Sequence, residues 1–312
     1  MFVEVPMPVR PAAPAAAKPH VLRRLARAMP PYLYLAPALA LLVIWTYRPL
    51  VQTAQLSFYS WNLLPTSPMV PMGLGNYRNL IEQPDLGQAV SRTFYIIAGL
   101  LPFTVVIPVV VGLLTRSVGG RSRKVYQALI FAPMLVAPVA SAAVWQWLLD
   151  PSGGVVNRTL GTTTSWLHEI GTAQPVIILI TGWHLVGFAV LVVTAGLSNI
   201  NGDYSEAAEL DGASRWQITR WVTLPLLSPT LMFLTLMTVL LSAQWTFPLI
   251  DSLTQGGPVD STTNVYYLLW DYSFHSYDAG RGAAAGILLF LGFGIVAGIL
   301  VWLSERLTFH DN

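Results

Sequence analysis

Charged residues in this chain fall in short intervals between long apolar runs. Five runs contain no Asp, Glu, Lys or Arg and are long enough to cross a bilayer, residues 93–115, 125–149, 170–202, 221–250 and 282–304; about 20 mostly apolar residues suffice for a spanning helix. A sixth occupies 32–47 and extends past Arg48, whose long side chain reaches the interface from a helix end. The pattern predicts six transmembrane helices and an all-α, polytopic membrane protein. A further charge-free stretch, 49–77, fails on composition. Asn62, Pro65, Pro68, Pro71, Gly73, Gly75 and Asn76 would strand backbone groups in lipid, so its first third is read as the end of helix one and the rest as an exposed loop.

Composition agrees. Of 312 residues, 54% are apolar and 10% charged, against about 25% charged in a soluble domain, too few to coat a surface in water. The absence of cysteine excludes a disulfide framework, a thiolate metal site and a Cys nucleophile, and 17 basic against 15 acidic residues is too balanced for a nucleic-acid binder. With the N-terminus inside, 12 of the 17 basic residues lie on the inner side and five, Arg48, Arg78, Arg92, Arg158 and Arg281, on the outer. Cytoplasmic loops retain Lys and Arg, so both termini are expected in the cytoplasm. Residues 1–30, Pro/Ala-rich with five basic side chains, cannot bury a core and read as a disordered basic cytoplasmic tail. Residues 31–306 then form the six-helix domain and 307–312 a short cytoplasmic tail.

Spans two to six carry no Asp, Glu, Lys or Arg at their centres, where ion-coupled carriers place relay groups. His184 is the only ionisable side chain deep in a span; it is either a hydrogen-bonded interhelical contact or a donor lining a path for a polar substrate. Lys18 and Lys124 are the only lysines, and neither follows the glycine pattern of a phosphate-binding loop. No H-E-x-x-H metal motif and no G-x-S-x-G nucleophile turn occurs. The chain is therefore expected to hold no catalytic residue, metal or cofactor, and uphill transport would draw its energy from a partner.

The inner loop 197–225 is the most informative segment. Asp203 or Ser205 is positioned to cap a short helix, with Glu206 and Glu209 in its first turn, where the helix dipole favours anions. Ala207 and Ala208 present a small face, Gly212 permits the positive φ that ends the helix, and Pro225 suits the first turn of the next span. These residues predict a short helix-turn-helix at the membrane surface. Their spacing, Glu206-Ala207-Ala208, three residues, Gly212, nine residues, then Val222-x-Leu224-Pro225, with Asp211 before the glycine, resembles the EAA loop of permease subunits of binding-protein-dependent, type I ABC importers. One departure is Thr219, where many members carry an aromatic residue.

A second segment, Leu253-Thr254-Gln255-Gly256-Gly257-Pro258, resembles the L-T-x-G-G-P signature of the carbohydrate-type branch. Gly73-Leu74-Gly75-Asn76-Tyr77 before span two and Asp150-Pro151-Ser152-Gly153-Gly154 after span three are similar to elements of the same branch. Within it, Ala137-Pro138-Val139-Ala140 with Trp145, and Thr246-Phe247-Pro248-x-Ile250-Asp251, look most like the glycerol-3-phosphate permease subunit.

The resemblance implies a type I importer permease fold in the bacterial inner membrane. Glu206, Ala207, Ala208, Asp211, Gly212, Leu224 and Pro225 would couple it to ATPase subunits, which bind the ATP and Mg. Its partners would be a second homologous permease, an ATPase dimer, an extracytoplasmic binding protein and the lipid bilayer. The cargo would be glycerol-3-phosphate or a glycerophosphodiester, or alternatively a disaccharide or oligosaccharide of the maltose or trehalose type. Met134, Thr181, Trp183, His184, Phe188, Gln244 and Thr246 would fall near the substrate path. An ion-coupled carrier and an intramembrane enzyme are the rival classes, the first disfavoured by the uncharged spans and the second by the absence of a buried nucleophile-base pair.

Overall fold

The computed structural model describes residues 34–116 and 118–307; the expected tail 1–30, and that at 307–312 beyond Leu307, lie outside the described residues. Two compact units meet in sequence at Gln52 and Thr53. The first contains most of helix α1 (Tyr34–Leu56).

In the second unit a two-stranded antiparallel ribbon, β1 (Tyr59–Ser60) and β2 (Val70–Pro71), precedes α2 (Gly75–Glu82). The spanning helix α3 (Pro84–Leu114) follows. Next come α4 (Gly120–Phe131), a 3₁₀ turn (Ala132–Leu135), α5 (Pro138–Leu148) and α6 (Val155–Leu160). The remaining elements are α7 (Ala173–Ser198), the loop helix α8 (Asp203–Leu210), α9 (Arg215–Thr254), α10 (Val265–Trp270) and α11 (Ala279–Leu307).

Among the described residues five helices are long and apolar enough to cross a membrane, and the count reaches six if the bent pair Val125–Leu135 and Pro138–Leu148, which meet at 95°, is one span. The run 125–149 is thus not one straight helix. Pro138 disfavours a helical residue before it, and Val136 and Ala137 take ψ values of 129° and 134°.

The stretch read as an exposed loop after α1 is largely exposed, and it is anchored at its two ends. Buried Asn76 donates from Nδ2 to the Ser57 and Tyr59 carbonyls, each at 2.9 Å, and the Ser57 hydroxyl lies 2.7 Å from Tyr77 Oη. Side chains and a short ribbon thereby satisfy backbone that the prolines and glycines leave unpaired.

Several prolines sit inside the long helices without breaking them. Before three of them a π-helical turn ends two residues earlier: Val43–Tyr47 before Pro49, Pro102–Val106 before Pro108, and Thr219–Thr223 before Pro225. A proline clashes with the carbonyl four residues back and offers it no N–H. The wider turn shifts the hydrogen-bond register by one residue just before the proline, so the helix continues. Pro225 therefore does not open a span: α9 begins at Arg215 and runs 40 residues, about 60 Å at 1.5 Å per residue.

α3, α7 and α9 pack together around Ala189, Val193, Leu197, Leu227 and Leu234, with Val105, Val109 and Leu113 of α3 against them. Across this interface Thr238 Oγ1 lies 2.8 Å from Thr104 Oγ1, both buried. α7 also approaches α4 so closely that a Cβ on Gly187 would run into the Ile130 carbonyl oxygen.

Candidate functional site: the loop between α7 and α9 and a cavity at His184

The loop between α7 and α9 is built by local rules. Asn201 Oδ1 accepts from the Asp203 N–H at 3.2 Å while its Nδ2 donates to Asp203 Oδ2 at 2.9 Å. The cap position falls on Gly202 with no side-chain bond, so neither Asp203 nor Ser205 caps α8; both are already helical because the turn closes on Asn201. Asp203 and Glu206 occupy the first turn, and Glu209 lies beyond it.

The far end closes as a Schellman motif. Gly212 takes φ 80°, its N–H donates to Glu209 O at 3.0 Å, and the Ala213 N–H donates to Ala208 O at 3.0 Å. Ser214 immediately caps α9 in a capping box: the Gln217 N–H donates to Ser214 Oγ at 3.4 Å and the Ser214 N–H to Gln217 Oε1 at 2.8 Å. Four residues thus turn α8 into α9 with defined backbone geometry throughout.

Glu206, Ala207, Asp211 and Gly212 are exposed on this loop, and Ala208 is half-buried. Leu224 and Pro225 lie farther along α9, half-buried beside the buried Thr223 and Leu227. The structure therefore divides the seven predicted coupling residues into an exposed group on the loop and a packed pair on the helix. Sequence reasoning missed Leu210, which is 91% exposed at the end of α8 and is the most uncovered large apolar side chain of the loop. It also missed the Ser214–Gln217 box, which the spacing S-x-x-Q spells out.

A cavity of about 200 Å³ lies where α7 and α9 meet the bend between α4 and α5, lined among others by Met134, Pro138, Thr181, His184, Trp245 and Leu249. Three of the seven predicted path residues, Met134, Thr181 and His184, converge there. The other four do not line it. The Trp183 ring stands edge-on to Trp145 at 5.6 Å, Phe188 packs against the core shared by α3, α7 and α9, and Gln244 is exposed. Thr246 is fully buried, donating to Ser242 O at 2.9 Å and accepting from Asn264 Nδ2 at 2.8 Å.

His184 Nδ1 faces the Ile180 carbonyl at 3.3 Å, and its buried Nε2 has no hydrogen-bond partner among the described residues. With the hydrogen on Nδ1 this contact is a donation to the carbonyl, and in that neutral tautomer Nε2 presents a lone pair. In that form His184 is an acceptor, where the sequence suggested a donor.

The T-x-G-G-P segment closes on itself. Thr262 Oγ1 lies 2.8 Å from Thr254 Oγ1 and 2.9 Å from the Gly257 carbonyl, and the Thr262 N–H donates to Gly256 O at 3.0 Å. Asn264, 0% exposed, clamps it to the span: Nδ2 donates to Ala243 O at 3.0 Å as well as to Thr246, and Oδ1 accepts from the Tyr267 N–H at 2.8 Å. Nothing in the sequence marked Asn264, since an asparagine after two threonines reads as a loop.

The chain as a whole is similar to known proteins. The family described as binding-protein-dependent transport system inner membrane component matches residues 83–309. The chain belongs to this family. It is an ABC importer permease subunit and a multi-pass protein of the bacterial inner membrane. A probable ABC transporter permease of Pyrococcus horikoshii is 31% identical to this permease over 280 residues, covering 86% of this chain and 94% of the relative. The sn-glycerol-3-phosphate transport system permease protein UgpA of Pectobacterium atrosepticum is 30% identical over 277 residues, covering 87% and 91%. In fold, the permease is similar to a chain of a bacterial ABC transporter involved in import of the acidic polysaccharide alginate, with TM-score 0.80, 23% identity and coverage of 93% and 99%.

Proposed function

We propose that this permease forms one half of a translocation path, pairs with a second homologous permease, and receives glycerol-3-phosphate or a glycerophosphodiester from an extracytoplasmic binding protein. Both termini are cytoplasmic, and α8 docks on an ATPase dimer that binds the ATP and Mg; this chain binds neither. The observation that carries the coupling role is the loop itself: Glu206, Ala207 and Gly212 stand exposed on a helix whose two ends are fixed by the Schellman closure and the capping box. Movement of the ATPase subunits then reaches α9 through the rigid turn 211–214.

The cargo reading rests on the UgpA relatives and on the cavity at His184. About 200 Å³ is below the range of about 300–1,000 Å³ usual for small-molecule sites, which suits a small polyol headgroup completed by the partner permease. A disaccharide or oligosaccharide is the second reading, favoured by the uncharged lining and by Trp245, whose flat face suits a sugar ring.

ATPase stimulation of the reconstituted complex by its binding protein, loaded in turn with glycerol-3-phosphate, glycerophosphocholine, maltose and trehalose, separates the two. Stimulation by the phosphate compounds is expected, and stimulation by the disaccharides alone moves the assignment to the second. Glu206→Arg is expected to leave the protein in the membrane and uncouple ATP hydrolysis from uptake. Uptake driven by a proton gradient without the ATPase would overturn the coupling role.

A further inference from the structure

A separate cavity of about 360 Å³ lies at the coupling-loop end of the bundle, lined among others by Thr115 and Arg116 after α3, Tyr126 on α4, and Thr194, Ser198 and Ile200 at the end of α7. Ile200 stands three residues before α8.

The polar groups of this cavity divide by role. Thr115 Oγ1 donates to Val111 O at 2.6 Å, Thr194 Oγ1 to Val190 O at 2.7 Å, and Ser198 Oγ to Thr194 O at 2.8 Å. A hydroxyl has one hydrogen, so these three oxygens offer the cavity lone pairs. Tyr126 Oη is sealed from solvent and has no partner among the described residues, so its hydrogen is uncommitted and meets a ligand once the side chain turns toward the cavity it lines. Arg116 is exposed at the rim and forms no ion pair among the described residues. Two donors, one of them cationic, therefore stand beside three acceptors in a space within the small-molecule range.

That set is complementary to one ligand class. Phosphate oxygens accept from Arg116 and Tyr126, while hydroxyl groups on the same molecule donate to Thr115, Thr194 and Ser198. A bare anion leaves the acceptors unused, and a neutral sugar leaves the guanidinium unused. We propose that this cavity binds a phosphorylated polyol of glycerol-phosphate size, entering from the coupling-loop side of the membrane. The inference rests on the cargo reading only for the match in ligand class; the site stands on its own donors and acceptors.

The test is equilibrium binding of radiolabelled sn-glycerol-3-phosphate to the full complex in phosphatidylcholine nanodiscs, without binding protein. Saturable binding is expected, weakened about tenfold or more by Arg116→Gln and several-fold by Tyr126→Phe, the factors that lost hydrogen bonds to an anion produce. Glycerol is expected not to compete, and inorganic phosphate to compete more weakly than the polyol phosphate. Thr194→Val, which keeps the volume and removes an acceptor, is expected to narrow that preference. Affinity unchanged in both Arg116→Gln and Tyr126→Phe overturns the site. So does loss of binding when phosphatidylglycerol replaces phosphatidylcholine, which would assign the cavity to a lipid headgroup. If the complex fails to import glycerol-3-phosphate yet binds it through Arg116, the cargo reading falls and the cavity stands. Import without Arg116-dependent binding gives the reverse.

Discussion

Gly212 offers a decisive substitution because two explanations of it predict opposite orders. Its φ of 80° lies in the left-handed region, and a Cβ built there meets nothing within 4 Å. Alanine would therefore cost backbone strain alone, about 1–2 kcal/mol for an L-residue held left-handed. That is a factor of about 5–30 in the population of the closed turn. Asparagine tolerates the same conformation better than alanine. If the loop acts through its backbone geometry, coupling falls in the order Gly, Asn, Ala, Val. If Gly212 matters because a partner packs against it, the smaller alanine outperforms asparagine. Binding-protein-stimulated ATPase activity and uptake, measured together in proteoliposomes, give the order, and amide exchange at Ala213 reports whether its bond to Ala208 survives. Full coupling in Gly212→Ala with unchanged Ala213 protection would refute the geometric account.

Three further outcomes follow from the same structure. Ser214→Ala removes the N-cap of α9 and is expected to cost about 1 kcal/mol locally, seen as faster amide exchange at Gln217 with exchange at Val193 unchanged. Asn264→Ala strips three hydrogen bonds from a fully buried position; a loss of about 1–3 kcal/mol per unsatisfied group should lower the thermal midpoint in detergent, and an unchanged midpoint would exclude the clamp. Asp150 accepts from the Ser152 hydroxyl and from the Gly153 and Ser152 N–H groups, which hold its carboxyl below the usual 3.8. With a lowered folded-state pKa, its stabilisation is present above 3.8 and is lost as pH falls through the folded value. Amide protection at Ser152 and Gly153 should therefore collapse only in that acid range, and should be pH-independent there in Asp150→Asn.

The crossings were legible because a spanning helix needs length and apolarity, both properties of a single segment. The break at residues 136–137 was also written in Pro133 and Pro138, but a search for charge-free runs does not see prolines. The start of α9 was misplaced for the opposite reason. Arg220 ends the uncharged run, whereas the helix begins five residues earlier under a serine cap and passes Pro225 by a π turn. The loop motif was legible as spacing, but Asp203 and Ser205, both good capping residues, fall inside α8 because the cap position lands on Gly202, which depends on where the preceding helix stops. Path residues were the least legible. Thr181 and His184 share one face of α7 with Met134 only because the bend brings Met134 back, and Gln244 and Thr246 look equivalent in sequence although one is exposed and the other lies at 0% exposure.

The Thr104–Thr238 contact divides α9 unevenly. Thr238 lies about 35 Å from the Arg215 end and about 24 Å from the Thr254 end at 1.5 Å per residue. If α9 turned as one body about that contact, its Arg215 end would swing opposite to its Thr254 end and through about 1.5 times the distance, from the same ratio of lengths. Gearing of that kind would link a push on the loop to the few hydrogen bonds that hold the T-x-G-G-P segment shut.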